Sequence, residues 1–285
     1  MLRIAYVNGR YRAYRDATVH IEDRGYQFSD GVYEVCEVRD RHLIDERRHV
    51  QRLHRSLEAL HMAAPMSDAA LGVVLRETIA RNRVRDGLVY VQVTRGVARR
   101  DHAFPAGQTP VALIVTARRL DRSKYEREAA RGVSVVTVPD NRWGRVDIKS
   151  ISLLPNVLAK QAAREQGARE AWYVDRAGLV TEGSSSNAWI VTADGALLTR
   201  PADHGILRGV ARTVVLEVAG AHGLRVEERA FSVEEAYAAR EAFMTAASQI
   251  VLPVVQIDGH SIGSGSPGPV AIALRRDFHR YVEVS

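Results

Sequence analysis

Cysteine is almost absent from the sequence, with Cys36 the single example among 285 residues. One thiol builds neither a disulfide framework nor a cysteine-based metal site. Apolar runs are short as well, and none approaches the roughly 20 residues that a membrane-spanning helix needs. Residues 1–6 lead directly into a strand-like pattern and lack the basic and then apolar layout of a signal peptide. We therefore expect a soluble, cytoplasmic chain with no membrane partner.

Charge of one dominant sign is also missing, although the formal net charge is +6. The 40 basic residues face 34 acidic ones, and both signs alternate in segments such as 45–48 and 225–229. Nucleic-acid-binding proteins usually concentrate positive charge in a stripe with exposed aromatic side chains. The alternation is typical of solvated surfaces, so we expect no nucleic acid partner. A non-enzymatic basic binding module is the alternative from a different functional class.

Lysine is scarce, because the 40 basic residues include only Lys124, Lys149 and Lys160. Arginine replaces lysine on most surfaces, but it cannot act as an amine nucleophile. The contexts of Lys124 and Lys160 indicate surface residues. Lys149 is flanked by apolar residues within 146–154, where burial would lower the pKa of its ammonium group. Context alone leaves a catalytic and a structural role open for Lys149.

Hydrophobic patterning predicts a mixture of short strands and amphipathic helices. In the first half we expect strands over 4–7, 11–14, 32–38, 88–94 and 111–116, and helices over 46–60 and 67–81. The turn Asn8-Gly9 predicts that the first two strands form a hairpin, and Ser67 is the predicted cap of the second helix. In the second half we expect strands over 133–138, 171–174, 179–181, 188–191, 224–227, 242–245 and 252–257, and helices over 152–166 and 210–221, from 232 and from 267. The polar segment 118–128 is the best linker candidate, so the pattern predicts two α+β domains.

Two motifs are set aside. The segment 263–268 matches the letters of a dinucleotide-binding fingerprint, but no βαβ unit or acidic partner follows it, so we interpret it as a loop. The ten histidines show no metal-binding spacing, and we expect no metal. His49 and His54 fall on the first predicted helix and are interpreted as surface or internally bonded residues.

Three further segments carry chemical groups of interest. The serine-rich turn 183–187 is either an anion-binding nest or an ordinary polar turn. Glu182, directly before it, ends a predicted strand and could pair with a protonated ring nitrogen. The loop 205–209 leads into a helix whose first N–H groups could bind a phosphate. A lysine, a carboxylate and a phosphate site are the protein parts that pyridoxal phosphate requires.

Several stretches in register resemble the class IV, or fold-type IV, pyridoxal-phosphate-dependent aminotransferases, and within them the D-amino-acid branch. The matching stretches are 22–35, 92–96, 147–150, 158–161 and 180–187. The resemblance covers nearly the whole chain. It implies two α/β domains with the active site at their interface, namely a small N-terminal α+β domain over 1–120 and a larger domain over 121–285 that carries the cofactor lysine.

The resemblance assigns the cofactor contacts residue by residue. Lys149 matches the lysine that holds pyridoxal 5'-phosphate as a Schiff base and shuttles the proton. Glu182 matches the carboxylate that faces the pyridine nitrogen, and Arg52 matches the arginine that binds the phosphate.

The remaining cofactor contacts match the family less completely. Leu207 matches a leucine that packs against the ring, and Val210 and Ala211 match the phosphate site at the start of a helix. The family commonly has hydroxyl residues at Ala211 and at the turn of Ala246 and Ala247. The phosphate contacts at Ala211 and Ala247 would therefore come from the backbone.

The substrate contacts also follow from the resemblance. Tyr33, Arg100 and His102 match residues that bind the substrate carboxylate, and the loop 96–107 would come from the second subunit of a homodimer. The implied reaction is ping-pong transamination of the type D-alanine plus 2-oxoglutarate to pyruvate plus D-glutamate. Branched-chain L-aminotransferase, aminodeoxychorismate lyase and (R)-selective amine transaminase are alternatives on the same fold. The sequence Arg100-Asp101-His102 favours the D-amino-acid branch.

Overall fold

The computed structural model describes residues 3–107 and 109–285. These residues group into two compact units. The first contains the chain up to Asp121 together with Ile148–Ser152 and Glu283–Ser285, and the second contains Arg122–Asp147 and Leu153–Val282.

The first unit is built on an antiparallel sheet with the strand order β2-β1-β6-β5-β3-β4. Its elements are β1 (Ile4–Val7), β2 (Arg10–Ala13), α1 (Arg24–Phe28), β3 (Gly31–Arg39), β4 (His42–Leu43), α2 (Glu46–Ala59), α3 (Asp68–Arg81), β5 (Gly87–Thr94) and β6 (Ala112–Arg119). Asn8 and Gly9 both have positive φ in the turn between β1 and β2, which suits a tight hairpin. The predicted hairpin is confirmed.

Two amphipathic helices cover this sheet and form its core. Leu53 and Leu57 of α2 and Leu75 of α3 pack with sheet residues such as Val89. The hydroxyl of Ser67 accepts a hydrogen bond from the Ala70 N–H, which caps α3 as the sequence predicted. The packing of Leu53 and Leu57 determines which face of α2 lies toward β3.

The second unit contains a larger mixed sheet with the order β12-β11-β10-β14-β15-β7-β8-β9-β13, and β16 pairs with β15. Its elements are α4 (Arg122–Arg131), β7 (Val133–Pro139), α5 (Leu154–Glu165), β8 (Glu170–Val174), β9 (Leu179–Gly183), β10 (Asn187–Val191), β11 (Leu197–Thr199), α6 (Val210–Ala221), β12 (Val226–Glu228), β13 (Phe231–Ser232), α7 (Val233–Tyr237), β14 (Glu241–Ala246), β15 (Ile250–Ile257), β16 (His260–Ser261) and α8 (Pro269–Asp277). Strand β7 runs parallel to both β8 and β15. The buried strand β10 has all five residues inside, and α6 and α8 pack against this sheet.

The boundary between the two units, after Asp121, lies within the linker candidate 118–128, but most of that segment has regular secondary structure. Strand β6 continues to Arg119, and α4 begins at Arg122. The segment is polar, but its arginine, lysine, glutamate and alanine residues are good helix formers, and Ala129 of α4 is buried. The segment 263–268 is a loop between β16 and α8, as predicted.

The short segment that carries Lys149 packs in the first unit, which corrects its expected assignment to a domain over 121–285. The Tyr33 N–H donates to the Lys149 carbonyl at 2.9 Å, and the Ile151 N–H donates to the Gly31 carbonyl at 3.0 Å. Ile148 lies in the hydrophobic core of the same unit. Backbone pairing with β3 therefore places Lys149 in the first unit, although its position along the chain lies beyond Asp121.

Neither a membrane span nor a metal centre is found within residues 3–107 and 109–285. No helix there combines the length and apolar character needed to cross a bilayer. No three histidine, cysteine, aspartate or glutamate side chains in these residues could hold a metal ion. The cytoplasmic location inferred from the sequence stays a prediction.

Candidate active site

Lys149 and Tyr33 meet on the edge of β3 in the first unit. The Lys149 Nζ donates to the Tyr33 hydroxyl at 3.3 Å and lies 4.3 Å from the centre of its ring. The Lys149 N–H also donates to Ser56 Oγ of α2 at 3.2 Å, so the backbone and the side chain are both fixed. Lys149 is half-buried. A partly accessible amine held beside a phenol is a suitable nucleophile.

The aromatic neighbour of Tyr33 closes one side of this arrangement. Tyr90 of β5 stacks on Tyr33 with 5.7 Å between ring centres, and its hydroxyl donates to Gln92 Oε1. Burial first, and then the neighbouring Tyr33, raises the pKa of Tyr90 to about 12. Tyr90 therefore stays a neutral phenol, and it fixes the ring plane of Tyr33.

Arg52 forms a buried ion pair beside this pair of residues. Its Nε donates to Glu34 Oε1 at 2.8 Å and its Nη2 donates to Glu34 Oε2 at 2.7 Å. His49 Nδ1 lies 2.7 Å from Glu34 Oε2. Burial alone would raise the pKa of Glu34, but Arg52 and His49 outweigh it and hold the pKa well below its usual range. The predicted phosphate-binding arginine is thus oriented by a bidentate carboxylate.

The predicted carboxylate-binding residues share one aromatic contact. The Arg100 guanidinium carbon lies 5.0 Å from the centre of the Phe28 ring, and the His102 ring lies 5.5 Å from it. Both side chains are exposed. Gly96, at the start of this loop, has φ +91°, and a Cβ there would overlap the carbonyl oxygen of Pro110. The loop therefore leaves β5 through a position that only glycine fills without strain.

Glu182 is the centre of a polar network in the second unit. It is 5% exposed, and its Oε1 accepts from Arg142 Nη1 at 2.5 Å. Its Oε2 accepts from Asn187 Nδ2 and from the Leu207 N–H, both at 3.0 Å. Cationic and neutral donors together favour a carboxylate ion with a fixed orientation.

The start of α6 is attached to the same network. Asn187 Nδ2 also donates to the Leu207 carbonyl at 2.9 Å, and a Cβ at Gly209 would overlap Asn187 Oδ1. Helix α6 begins at Val210 without a side-chain cap. The N–H groups of Val210 and Ala211 have no acceptor within the helix, and they carry the positive end of the helix dipole. Such a helix start suits a phosphate or another anion.

The turn of Ala246 and Ala247 follows from the geometry of β14. Ala246 is its last residue and pairs with Ile250, and Ala247 lies in the turn that follows. Both side chains end at a methyl group, so any anion contact in this turn comes from the backbone.

The hydroxyls of the serine-rich turn 183–187 bind a buried carboxylate of the protein itself. Glu170 is buried, and the hydroxyls of Ser184, Ser185 and Ser186 donate to its carboxylate. Lys160 Nζ lies 3.2 Å from Glu170 Oε1 and donates to the Arg169 carbonyl at 2.6 Å. The three hydroxyls therefore bind within the protein. Lys160 is partly exposed, as its interpretation as a surface residue expected, with 39% of its side chain accessible, and its amine is anchored by Glu170.

The structure brings together two groups of predicted residues. In the first unit Lys149 contacts Tyr33, and Arg52 binds the residue next to Tyr33 on β3. In the second unit Glu182 contacts Leu207, and Asn187 connects both to the start of α6.

Sequence reasoning missed several members of these networks. Glu34 carried a usable signal, because it stands at a buried position of an alternating strand, where a carboxylate needs a partner. Asn187 lies within the turn 183–187 that the sequence singled out, but nothing there indicated its contacts. Arg142 carried no signal, since it is one of many arginines outside any recognised motif.

Comparison with known proteins identifies the family. The model of the family "Amino-transferase class IV" matches residues 31–257. The chain is 44% identical to the D-alanine aminotransferase of Bacillus licheniformis over 263 residues, which cover 92% of this chain and 91% of the relative. The chain belongs to the class IV aminotransferase family. The predicted activity class, a transaminase, is thereby confirmed.

Solved structures place this aminotransferase in the same fold. The branched-chain amino acid aminotransferase of Escherichia coli has a TM-score of 0.89 at 25% identity, with 98% of this chain and 94% of that chain covered. The branched-chain aminotransferase of the thermophilic archaeon Thermoproteus uzoniensis with norvaline has a TM-score of 0.84 at 24% identity, with 100% and 99% covered. The predicted α+β, fold-type IV class is confirmed.

Proposed function

We propose that this aminotransferase uses pyridoxal 5'-phosphate to transfer the amino group of a D-amino acid to a 2-oxo acid. D-alanine and 2-oxoglutarate would give pyruvate and D-glutamate. The observation that carries the proposal is the amine of Lys149, held at the Tyr33 hydroxyl by a segment that pairs with β3. The Bacillus licheniformis relative is named a D-alanine aminotransferase, which supports this substrate class.

The residues present fit the cofactor. Class IV aminotransferases are pyridoxal-phosphate enzymes, and such a cofactor needs an amine, a ring-nitrogen partner and a phosphate site. Lys149 supplies the amine, Glu182 is a buried and oriented carboxylate, and the uncapped start of α6 offers N–H groups. Arg52 offers a cation for a phosphate. We propose that Lys149 and Arg52 of the first unit and Glu182, Leu207 and the start of α6 of the second are the cofactor-binding residues of this chain.

Each residue has a separate task in the reaction. Bound pyridoxal phosphate supplies an aldehyde carbon that accepts the amino group and a ring that withdraws electrons from the substrate Cα. Lys149 holds the cofactor and carries a proton to and from the substrate Cα through its Nζ. The Tyr33 hydroxyl orients that Nζ. Glu182 would keep the ring nitrogen of the bound cofactor protonated, because a nearby carboxylate favours the charged form of such a nitrogen.

We assign the selection of the D-enantiomer of the substrate to Arg100 and His102. A guanidinium binds a carboxylate through two parallel hydrogen bonds, and histidine adds another donor. A carboxylate held on one side of the cofactor determines which face of Cα is turned to Lys149. Tyr33 would contact the same carboxylate.

We further propose a homodimer in which loop 96–107 completes the site of the neighbouring subunit. Ile21 and Tyr26 are each 75% exposed, and Phe104 is 57% exposed. Large apolar side chains left exposed on one unit support an interface with a second chain. The site would then contain residues of both subunits.

The test combines a covalent label with a substrate comparison. Borohydride reduction and peptide mapping should place the cofactor on Lys149, and Lys149→Ala should lose the label and the activity. Lys124→Ala is the matched control, because its side chain is exposed and it should keep both. The unmodified protein should transaminate D-alanine in preference to L-leucine.

Two outcomes would contradict the proposal. A label on Lys124 or Lys160 would refute the assignment of Lys149. A preference for L-leucine would move the chain to the branched-chain activity named for its structural relatives.

A further inference from the structure

One buried arginine holds the backbone of the loop that carries Arg100 and His102. Arg24, in α1, is 3% exposed. Its Nη1 donates to the carbonyl of Asp101 at 2.6 Å and to that of Ala103 at 3.3 Å, and its Nη2 lies 3.5 Å from the carbonyl of His102. Three successive carbonyls of the loop therefore face a single guanidinium.

Asp30 anchors this arginine together with a second one. Arg24 Nε donates to Asp30 Oδ2 at 2.8 Å, and Arg95 donates to both Asp30 oxygens at 2.7 and 3.0 Å. Burial alone would raise the pKa of Asp30, but Arg95 and Arg24 outweigh it and lower the pKa. The carboxylate thus stays charged and aligns both guanidinium groups.

The second arginine holds the far end of the same loop. The Arg95 guanidinium carbon lies 3.8 Å from the centre of the Phe104 ring, and Arg95 also donates to the carbonyls of Leu60 and His61. Phe28 supports the first part of the loop, because Arg24, Arg100 and His102 all approach its ring. Residues 100–104 are therefore held by one acid, two arginines and one aromatic ring.

We propose that Arg24 is a positioning residue that pre-organises the loop 100–104, so that Arg100 and His102 are in place before the substrate carboxylate arrives. This inference rests on the proposed function and deepens it. Ordering a free loop costs conformational entropy when the substrate binds. A loop whose carbonyls are already hydrogen-bonded avoids most of that entropy cost. The side chains of Arg100 and His102 remain available to bind the substrate.

The chemistry of arginine explains why this residue performs the task. Its planar fork can donate to Asp30 and to the loop carbonyls simultaneously. A lysine has one ammonium group, which can keep the ion pair with Asp30 but cannot span the same acceptors. Arg24→Lys should therefore restore only part of the function lost in Arg24→Met.

A double-mutant cycle with D-alanine tests the positioning role. Arg24→Met should raise the KM about tenfold to a hundredfold, which corresponds to lost hydrogen bonds from a charged donor, and should change kcat much less. In an Arg100→Ala background Arg24→Met should raise the KM much less, because one of the two side chains that it positions is gone and only His102 remains. Arg169→Met, which removes an ion pair with Glu128 in the second unit, is the control and should leave KM unchanged.

Hydrogen exchange of the loop gives a readout that does not depend on activity. The amides of residues 101–104 should exchange faster in Arg24→Met than in the unmodified protein, and Arg169→Met should leave them unchanged. Additive KM effects in the cycle, or unchanged exchange in Arg24→Met, would overturn the inference. If the unmodified enzyme does not transaminate D-alanine, the proposed function fails, and hydrogen exchange alone decides whether Arg24 holds the loop.

Discussion

Arg142 is the residue on which two acids of the second unit depend. Its Nε and Nη2 donate to Asp140 at 2.9 and 2.7 Å, while its Nη1 donates to Glu182. Burial alone would lower the pKa of Arg142, but the two carboxylates outweigh it and raise the pKa further. Without this cation two negative charges would lie close together in a largely buried site.

Arg142→Met should therefore destabilise the cofactor-free protein strongly. Removal of one partner from a buried ion pair costs about 3–5 kcal/mol of unfolding free energy. Urea unfolding at neutral pH measures the loss. Arg145→Met is the matched control, because Arg145 pairs with Asp147 at the surface and its loss should change stability by less than about 0.5 kcal/mol. Equal stabilities for the two variants would show that Glu182 does not depend on Arg142.

At the scale of elements, Glu34 connects β3 to α2. Arg52 and His49 reach it from one face of the helix, one turn apart. Burial first lowers the pKa of His49, and Glu34 offsets part of this effect. The helix that carries the proposed phosphate-binding arginine is thus attached to the strand that carries Tyr33.

The pH dependence of stability should expose this connection. The pKa of Glu34 is lower in the folded than in the unfolded chain, so its contribution is present above the unfolded pKa of about 4.3 and is lost as the pH falls below it. Glu34→Gln should be less stable than the unmodified protein by about 3–5 kcal/mol at pH 7. The difference should shrink below about pH 4.3.

Unfolding in urea between about pH 7 and about pH 3 measures this difference. Glu77→Gln is the control, because Glu77 forms an exposed pair with Arg81 on α3 and should show a small effect at every pH. A difference for Glu34→Gln that grows as the pH falls would reverse the sign of the argument.

Most elements could be predicted from the sequence, because their patterns are local. Apolar spacing gave α2, and the Ser67 hydroxyl marked the start of α3. The helix α4 was missed because a polar helix and a polar linker have similar compositions. The packing of Lys149 with β3 was missed because it joins residues more than 100 positions apart, which no local pattern records.

The candidate site also contains residues that the sequence could predict and residues that it could not. Lys149 could be singled out because lysine is rare in a chain where arginine is abundant. The partners that orient the site, Arg24 and Arg142, are arginines among many others, and only the fold separates them from surface residues. The chemical groups were thus predictable, while the residues that position them were not.

At the scale of the whole molecule, the proposed homodimer requires parts from two chains in each site. Lys149 would come from one subunit, and Arg100 would come from the loop of the other. An isologous dimer repeats this exchange in both sites, so each subunit gives its loop and receives one. Two variants that are each defective, one without the cofactor lysine and one with a high KM, can then complement one another.

Mixing Lys149→Ala with Arg100→Ala tests this arrangement directly. The two proteins are unfolded together and refolded with the cofactor, so that subunits recombine at random. In a mixed dimer one site has Lys149 from the Arg100→Ala chain and Arg100 from the Lys149→Ala chain, while the other site carries both defects. Half of the dimers are mixed, so about a quarter of all sites should regain low-KM activity with D-alanine. Each variant refolded alone is the control. Activity no higher than the average of the two controls would show that Arg100 serves the site of its own chain.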